Sequence, residues 1–169
     1  MTGAEFIARV LSTGSFLGFG IGDSPEAADS VLPLSYADDF TGRRNSRTLR
    51  RDYGLFEVTY GGDPDWVCQA ISLEVHRLLH LPDLREEVHE RLGVRFEPFT
   101  SWTDVQREYE RIPGSGALEV IEGSPGYRIL RKRSVGASVH VLDDPGAVRG
   151  EFPGHGDVWS LEIIPARFM

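Results

Sequence analysis

The feature that most limits how this chain folds lies in residues 49–79, LRRDYGLFEVTYGGDPDWVCQAISLEVHRLL. Phe56, Val58 and Tyr60 alternate with Leu55, Glu57 and Thr59. Beyond a break, Val67, Gln69, Ile71, Leu73 and Val75 alternate with Cys68, Ala70, Ser72 and Glu74. A two-residue repeat marks strands buried on one face, because successive side chains of an extended chain point to opposite sides. The break reads Gly61-Gly62-Asp63-Pro64-Asp65. Glycine enters the positive-φ conformations of a tight turn at no steric cost, and proline, which has no N–H, ends ladder pairing. The segment therefore predicts an antiparallel hairpin closed by a five-residue loop.

A lone hairpin is at best marginally stable in water, so the rest of the chain must cover it. Thr2 and Glu5 have capping-box spacing, and Phe6, Ile7, Val10 and Leu11 follow at helical spacing, which predicts a helix over residues 3–12. Residues 15–22, SFLGFGIG, fit a strand or a loop, and both stay open. Asp23-Ser24-Pro25-Glu26 is a helix start, with an oxygen-bearing cap and proline in the first turn; Ala27, Ala28, Val31 and Leu32 face inward before Pro33. The polar run 34–46 reads as an exposed connection.

After Val75 the alternation fades. Asp83 and Glu86 open a helix carrying Leu84, Val88 and Leu92 and stopped by Gly93, and Ser101 opens another with a stripe of Trp102, Val105, Tyr109 and Ile112. Strands are expected at 117–122, 127–133, 137–142 and 158–164, with turns at 123–126 and 143–146, and residues 146–157 form a long loop and a candidate mobile element. The fold class is α+β, an antiparallel sheet with helices packed on one face, expected as a single domain over 1–169. ISLEV at 71–75 echoes WSLEI at 159–163, which suggests two similar helix-plus-meander halves, 1–81 and 82–169; alternation alone produces the same likeness, and both readings stay open.

Charge narrows the function. The net charge of −8, from 26 acidic and 18 basic residues, argues against nucleic acid and anionic membrane as partners and favours a basic protein. The single cysteine excludes an intrachain disulfide, and the first residues have neither the basic head of a signal peptide nor an apolar span, so a cytoplasmic protein without a membrane anchor is expected.

No serine elbow or phosphate-binding loop is present, and Cys68, inside a strand pattern, reads as a quiet small side chain. His76 and His80, four residues apart, would share one face of an α-helix and, with His89 or a carboxylate, hold a metal. That is the basis of an alternative reading, a small hydrolase or metal-dependent enzyme. The strand context and the lack of an HExxH arrangement favour a packing role instead. Asp38-Asp39, Asp63 with Asp65, and Asp143-Asp144 are each ordinary turn chemistry, but together they make a negative surface. Arg128, Arg131, Lys132 and Arg133 read as the solvated face of a strand.

The segments DYGLFEVTY, WVCQAISLEVHRL and GDSPEAADSVL resemble, over roughly residues 20–80, small α+β proteins of GC-rich bacteria that are similar to the immunity proteins of polymorphic toxin systems. A capped helix preceding a meander also resembles the helix-plus-sheet units of beta-lactamase-inhibitor-like folds. The resemblance implies a non-enzymatic protein that neutralises a toxin domain by covering it; it carries no catalytic residues, and no cofactor is expected. Such a protein would steer a basic partner with Asp38, Asp39, Asp63 and Asp65 and anchor it with Trp66. Monomer and homodimer both remain open, the latter as an adaptor pairing through an exposed edge strand.

Overall fold

The computed structural model describes residues 1–43, 46–122 and 125–168. Its centre is an eight-stranded antiparallel sheet in the order β1-β2-β3-β4-β8-β7-β6-β5. The strands are β1 Ala37–Thr41, β2 Thr48–Asp52, β3 Phe56–Gly61, β4 Val67–Leu73, β5 Glu119–Glu122, β6 Tyr127–Lys132, β7 Ala137–Leu142 and β8 Val158–Ile163. The helices are α1 Gly3–Thr13, α2 Pro25–Val31, α3 Pro82–Leu92 and α4 Trp102–Glu110. Each half of the chain supplies two helices and then a four-stranded meander, and the last strands of the two meanders meet at the middle of the sheet.

Three of the four helices form where the cap chemistry places them; α3 instead starts at Pro82 after Leu81 with no side-chain cap, so Asp83, expected to open it, lies inside its first turn. Thr2 accepts the Glu5 N–H while the Glu5 carboxylate accepts the Thr2 N–H, closing the predicted capping box on α1. Ser24 caps α2, with Pro25 in its first turn, and Ser101 caps α4. Gly14 and Gly93 end α1 and α3 in the left-handed conformation that favours glycine.

One face of the sheet is dry. Phe56, Val58 and Tyr60 of β3, Cys68, Ile71 and Leu73 of β4, Val139 and Val141 of β7, and Leu161 and Ile163 of β8 are buried together with Phe6, Ile7, Val10 and Leu11 of α1 and Trp102, Val105 and Tyr109 of α4. Phe6, Phe16 and Phe56 form an aromatic knot between α1 and the sheet, with the Phe16 and Phe56 rings 5.3 Å apart and edge to face. The opposite face carries Glu57, Ser72, Glu162, Ser138 and Arg131 in one cross-strand row.

The structure corrects several readings of the sequence and decides one that stayed open. The polar run before the hairpin is not all connection, since it contains β1, whose five residues are all exposed. β2 precedes the hairpin as a further strand. Residues 15–22, left open between strand and loop, form a loop closed by the Phe16–Phe19 bridge and tied to β4 by the Gly22 N–H, which donates to the Cys68 carbonyl at 2.9 Å. The alternation in β4 changes phase: Tyr60 faces Cys68 and Thr59 faces Ala70, leaving Gln69 as an extra residue, so Cys68 joins Ile71 and Leu73 inside while Val67 and Gln69 face out. β8 bulges at the matching place, between the pairs Val141–Val158 and His140–Ser160. Matched by these bulges, Ile71 corresponds to Leu161 and Leu73 to Ile163, two residues away from the ISLEV/WSLEI echo. Arg128 and Lys132 share the covered face with Leu130, whereas Tyr127 and Arg131 take the open face, so the basic cluster is divided by strand alternation. The predicted turn at 123–126 begins outside the described residues.

Candidate functional site

Of the five residues expected to meet a partner, Asp38 and Asp39 lie on β1 and Asp63, Asp65 and Trp66 in the β3–β4 loop. Strand alternation sends Asp38 and Phe40 to the helix-covered side of β1, opposite Arg51 and Leu49, and sends Asp39 to the open side opposite Arg50. Phe40 is 49 % exposed, and its ring lies 6.1 Å from that of Trp66, which packs partly against the core. The Arg47 guanidinium sits 5.0 Å from the Phe40 ring. Tyr36, 46 % exposed, flanks the other end of the strand. The result is an open strand edge between two exposed aromatic rings.

The carboxylates are not equivalent. Asp38 accepts both Nε and Nη2 of Arg51, at 2.8 and 3.0 Å, and Asp29 of α2 accepts Nη1 at 2.8 Å. Arg51 is only 7 % exposed; the Tyr36 ring covers it at 3.9 Å, and the Tyr53 hydroxyl donates to Asp29 at 3.0 Å. Burial opposes the guanidinium charge, but the hydrogen bond to Asp38, the Tyr53 contact and the charges of Asp29 and Asp38 outweigh it and hold the pKa above its ordinary value. Asp38 thus ties β1 to β2 and α2, with its carboxylate engaged by Arg51 and its side chain 27 % exposed. Asp63 pairs with Arg47 at 3.6 Å, and Asp39 lies 3.8 Å from Arg50, which also reaches Glu57. Asp65 is exposed and has no ion-pair partner among the described residues. Asp39 and Asp65 therefore remain as the rim charges.

Sequence reasoning missed Tyr36, Phe40, Arg51 and Asp29. The sequence carries only a faint signal for the first two: Tyr36 and Phe40 are four residues apart and so share a strand face, but Asp38 between them breaks any hydrophobic period. No local pattern announces Arg51 or Asp29, which meet across 22 residues of chain.

The metal reading of His76 and His80 is not met by the geometry. The segment Val75–Leu79 is a 3₁₀ helix, in which four residues advance the chain about 120° past a full turn, so the two rings leave on different sides. His76 stacks on Trp159 at 4.3 Å, with Nδ1 3.3 Å from the Trp159 carbonyl oxygen, while His80 meets Phe152 edge to face. Among the described residues no three His, Cys, Asp or Glu side chains gather as a metal ion requires. Cys68 is buried, and its Sγ lies 3.7 Å from the Ala70 carbonyl; burial first, with Asp23 adding to it, pushes the thiol up to about 12. Within the 146–157 loop, the candidate mobile element, Arg149 Nε donates to Asp157 at 2.9 Å and the Gly154 N–H donates to the same carboxylate at 2.8 Å. No helix among the described residues is long and apolar enough to cross a membrane.

Two open-face histidines make the fold sensitive to pH. Burial lowers the pKa of His76 and of His140. Glu74, the Trp159 carbonyl and Glu57 oppose it at His76 while Arg77 adds to it; Glu162 and Glu74 oppose it at His140 while Arg131 adds to it. A histidine harder to protonate folded than unfolded contributes stability that is fully present above about pH 6.5 and is lost as the pH falls towards the folded pKa. The unfolding free energy is expected to fall between about pH 7 and pH 5, by at most about 1.4 kcal/mol per pH unit for each proton taken up, and the Tm to drop with it. His140→Gln should remove part of that slope. A Tm that is flat across this window, or unchanged in slope by the substitution, contradicts the assignment.

Comparison of the chain with protein-family models, with curated proteins and with solved structures finds no match.

Proposed function

We propose that this chain is a non-enzymatic binding protein that engages a protein partner along the β1 edge, and that its activity is of the immunity type, neutralising a toxin domain by occluding it. The observation that carries this reading is the edge itself, a strand with all five residues exposed between Tyr36 and the Phe40–Trp66 ledge. Aromatic side chains supply most of the affinity at protein interfaces because they bury large rigid areas with few rotors to immobilise. Asp39 and Asp65, backed by a net charge of −8, add long-range attraction for a basic surface. The mechanism is steric, with partner and ledge excluding water and anything else from the covered site.

The test is capture of a partner by the tagged chain, co-expressed with the products of neighbouring genes, followed by titration of variants. Phe40→Ala and Trp66→Ala should each weaken the recovered complex by about 2 kcal/mol, roughly thirtyfold. Asp39→Lys with Asp65→Lys should mainly slow association and flatten its salt dependence. A stoichiometric complex indifferent to all four substitutions would place the interface elsewhere.

A further inference from the structure

We propose that β1 accepts one extended segment of its partner as a ninth strand, with basic side chains on the open face of the sheet and apolar ones on the helix-covered face. The inference rests on the partner-binding reading above and adds to it the chemistry of the bound segment.

The ladder determines which backbone groups are free. The Tyr53 N–H donates to the Phe56 carbonyl, so Tyr53 and Phe56 are a hydrogen-bonded pair. In an antiparallel ladder such pairs alternate with non-bonded ones. Arg51 with Val58 and Leu49 with Tyr60 are therefore bonded across β2 and β3, while Arg50 and Asp52 turn their N–H and C=O groups towards β1. These meet Asp39 and Ala37. Asp38 and Phe40 are left with both backbone groups directed away from the sheet, two residues apart, as an incoming strand requires.

The side chains specify what pairs there. A residue placed opposite Phe40 shares its face and lands beside the Trp66 ledge, an apolar position. A residue opposite Asp39 lies on the open face, against a carboxylate that is 58 % exposed and only loosely held by Arg50 at 3.8 Å. A lysine or arginine fits that place. The same aspartate argues against a second copy of the chain as the occupant: the antiparallel register that pairs all five residues sets Asp39 directly against its own counterpart, in the closer, non-bonded type of pair. Like charges opposite one another oppose pairing, and charged edge strands are a common guard against self-association.

The experiment uses the full chain labelled with nitrogen-15 and three blocked pentapeptides: Lys-Val-Lys-Val-Lys, the same peptide N-methylated at both valines, and Glu-Val-Glu-Val-Glu. The lysine peptide is expected to shift the backbone signals of β1 and to slow hydrogen exchange at the Asp38 and Phe40 amides. N-methylation removes the donors facing β1 but keeps every charge and side chain, and should weaken binding about tenfold or more. The glutamate peptide should bind only to the Asp39→Lys variant. Equal binding of the methylated peptide overturns strand addition and leaves the acidic-aromatic edge intact as a side-chain site. Equal binding of the two unmethylated peptides to the wild-type chain overturns the basic occupant. Shifts away from β1, or none at millimolar peptide, overturn the proposal, while partner capture and its Phe40 and Trp66 variants judge the broader reading independently.

Discussion

Truncating Phe56 to alanine is expected to lower the stability of the fold by about 3–5 kcal/mol. Phe56 is the first residue of β3 and is fully buried, with its ring edge to face with both Phe6 of α1 and Phe16 of the following loop. Alanine removes the transfer energy of the ring and also leaves a cavity that three separate elements would have to collapse to fill. The two neighbouring aromatic contacts are lost as well. Because a domain of this size is stable by only about 5–15 kcal/mol, the variant should still fold, with a visibly lower midpoint. Urea unfolding reads the result as a shift in midpoint at an unchanged m-value. Phe56→Leu should lose appreciably less, since most of the volume is kept. A loss under about 1 kcal/mol for alanine would mean that α1 does not cover the sheet as described.

Arg51→Met is the second large effect, with an expected cost of about 2–4 kcal/mol. The substitution preserves much of the side-chain length and apolar stem but strands the Asp38 and Asp29 carboxylates, both of which answer Arg51 at 2.8 Å. Removing one member of a buried ionic cluster is costly because its partners keep their charge without compensation. The partial exposure of Asp29 and Asp38 places the expected value towards the lower end, since water can re-solvate them. Arg51→Lys should recover only part of the loss, as an ammonium group cannot span Asp38 through two parallel bonds. The effect should also be local. β1 is held to the sheet on one side only, and without the Arg51 bridge its ladder amides at Ala37, Asp39 and Thr41 should exchange faster with solvent. If Arg51→Met matches the wild type in both stability and exchange, the cluster contributes nothing measurable.

The local chemistry of the chain was largely legible. Thr2, Ser24 and Ser101 announce their helices because a capping hydroxyl acts within three residues, and the five-residue loop after Gly61 closes its hairpin for the same reason of range. β7 coincides with the expected strand 137–142 because Ala137, Val139 and Val141, all buried, alternate with Ser138 and His140. Where the reading failed, a pattern was broken by something outside it. The bulge at Gln69 inverts the phase of β4, and the histidines at 76 and 80 lose their common face because the chain tightens into a 3₁₀ turn beneath Trp159. β1 was hidden because an edge strand with no buried residue has no hydrophobic period to display.

The candidate site shows the same division. Asp38, Asp39, Asp63, Asp65 and Trp66 could be singled out from the sequence, and Asp38 and Asp39 lie on β1, Trp66 beside Phe40, and Asp63 on Arg47, whose guanidinium sits over the Phe40 ring; Tyr36 and Phe40 themselves were not recognised. What each carboxylate does was not readable, since Asp38 differs from Asp39 only through the face of the strand on which it falls.

The sequence by itself determined the α+β class, the placement of the four helices and the hairpin at its centre, because caps, turns and periodicity act over a few residues. Only the tertiary structure decided that the two meanders join through β4 and β8, that β1 stands as an open edge, and that Arg51 neutralises Asp38 while leaving Asp39 at the rim. Those outcomes depend on pairings between residues far apart in the chain, whose energies come from which groups meet and how much water they lose.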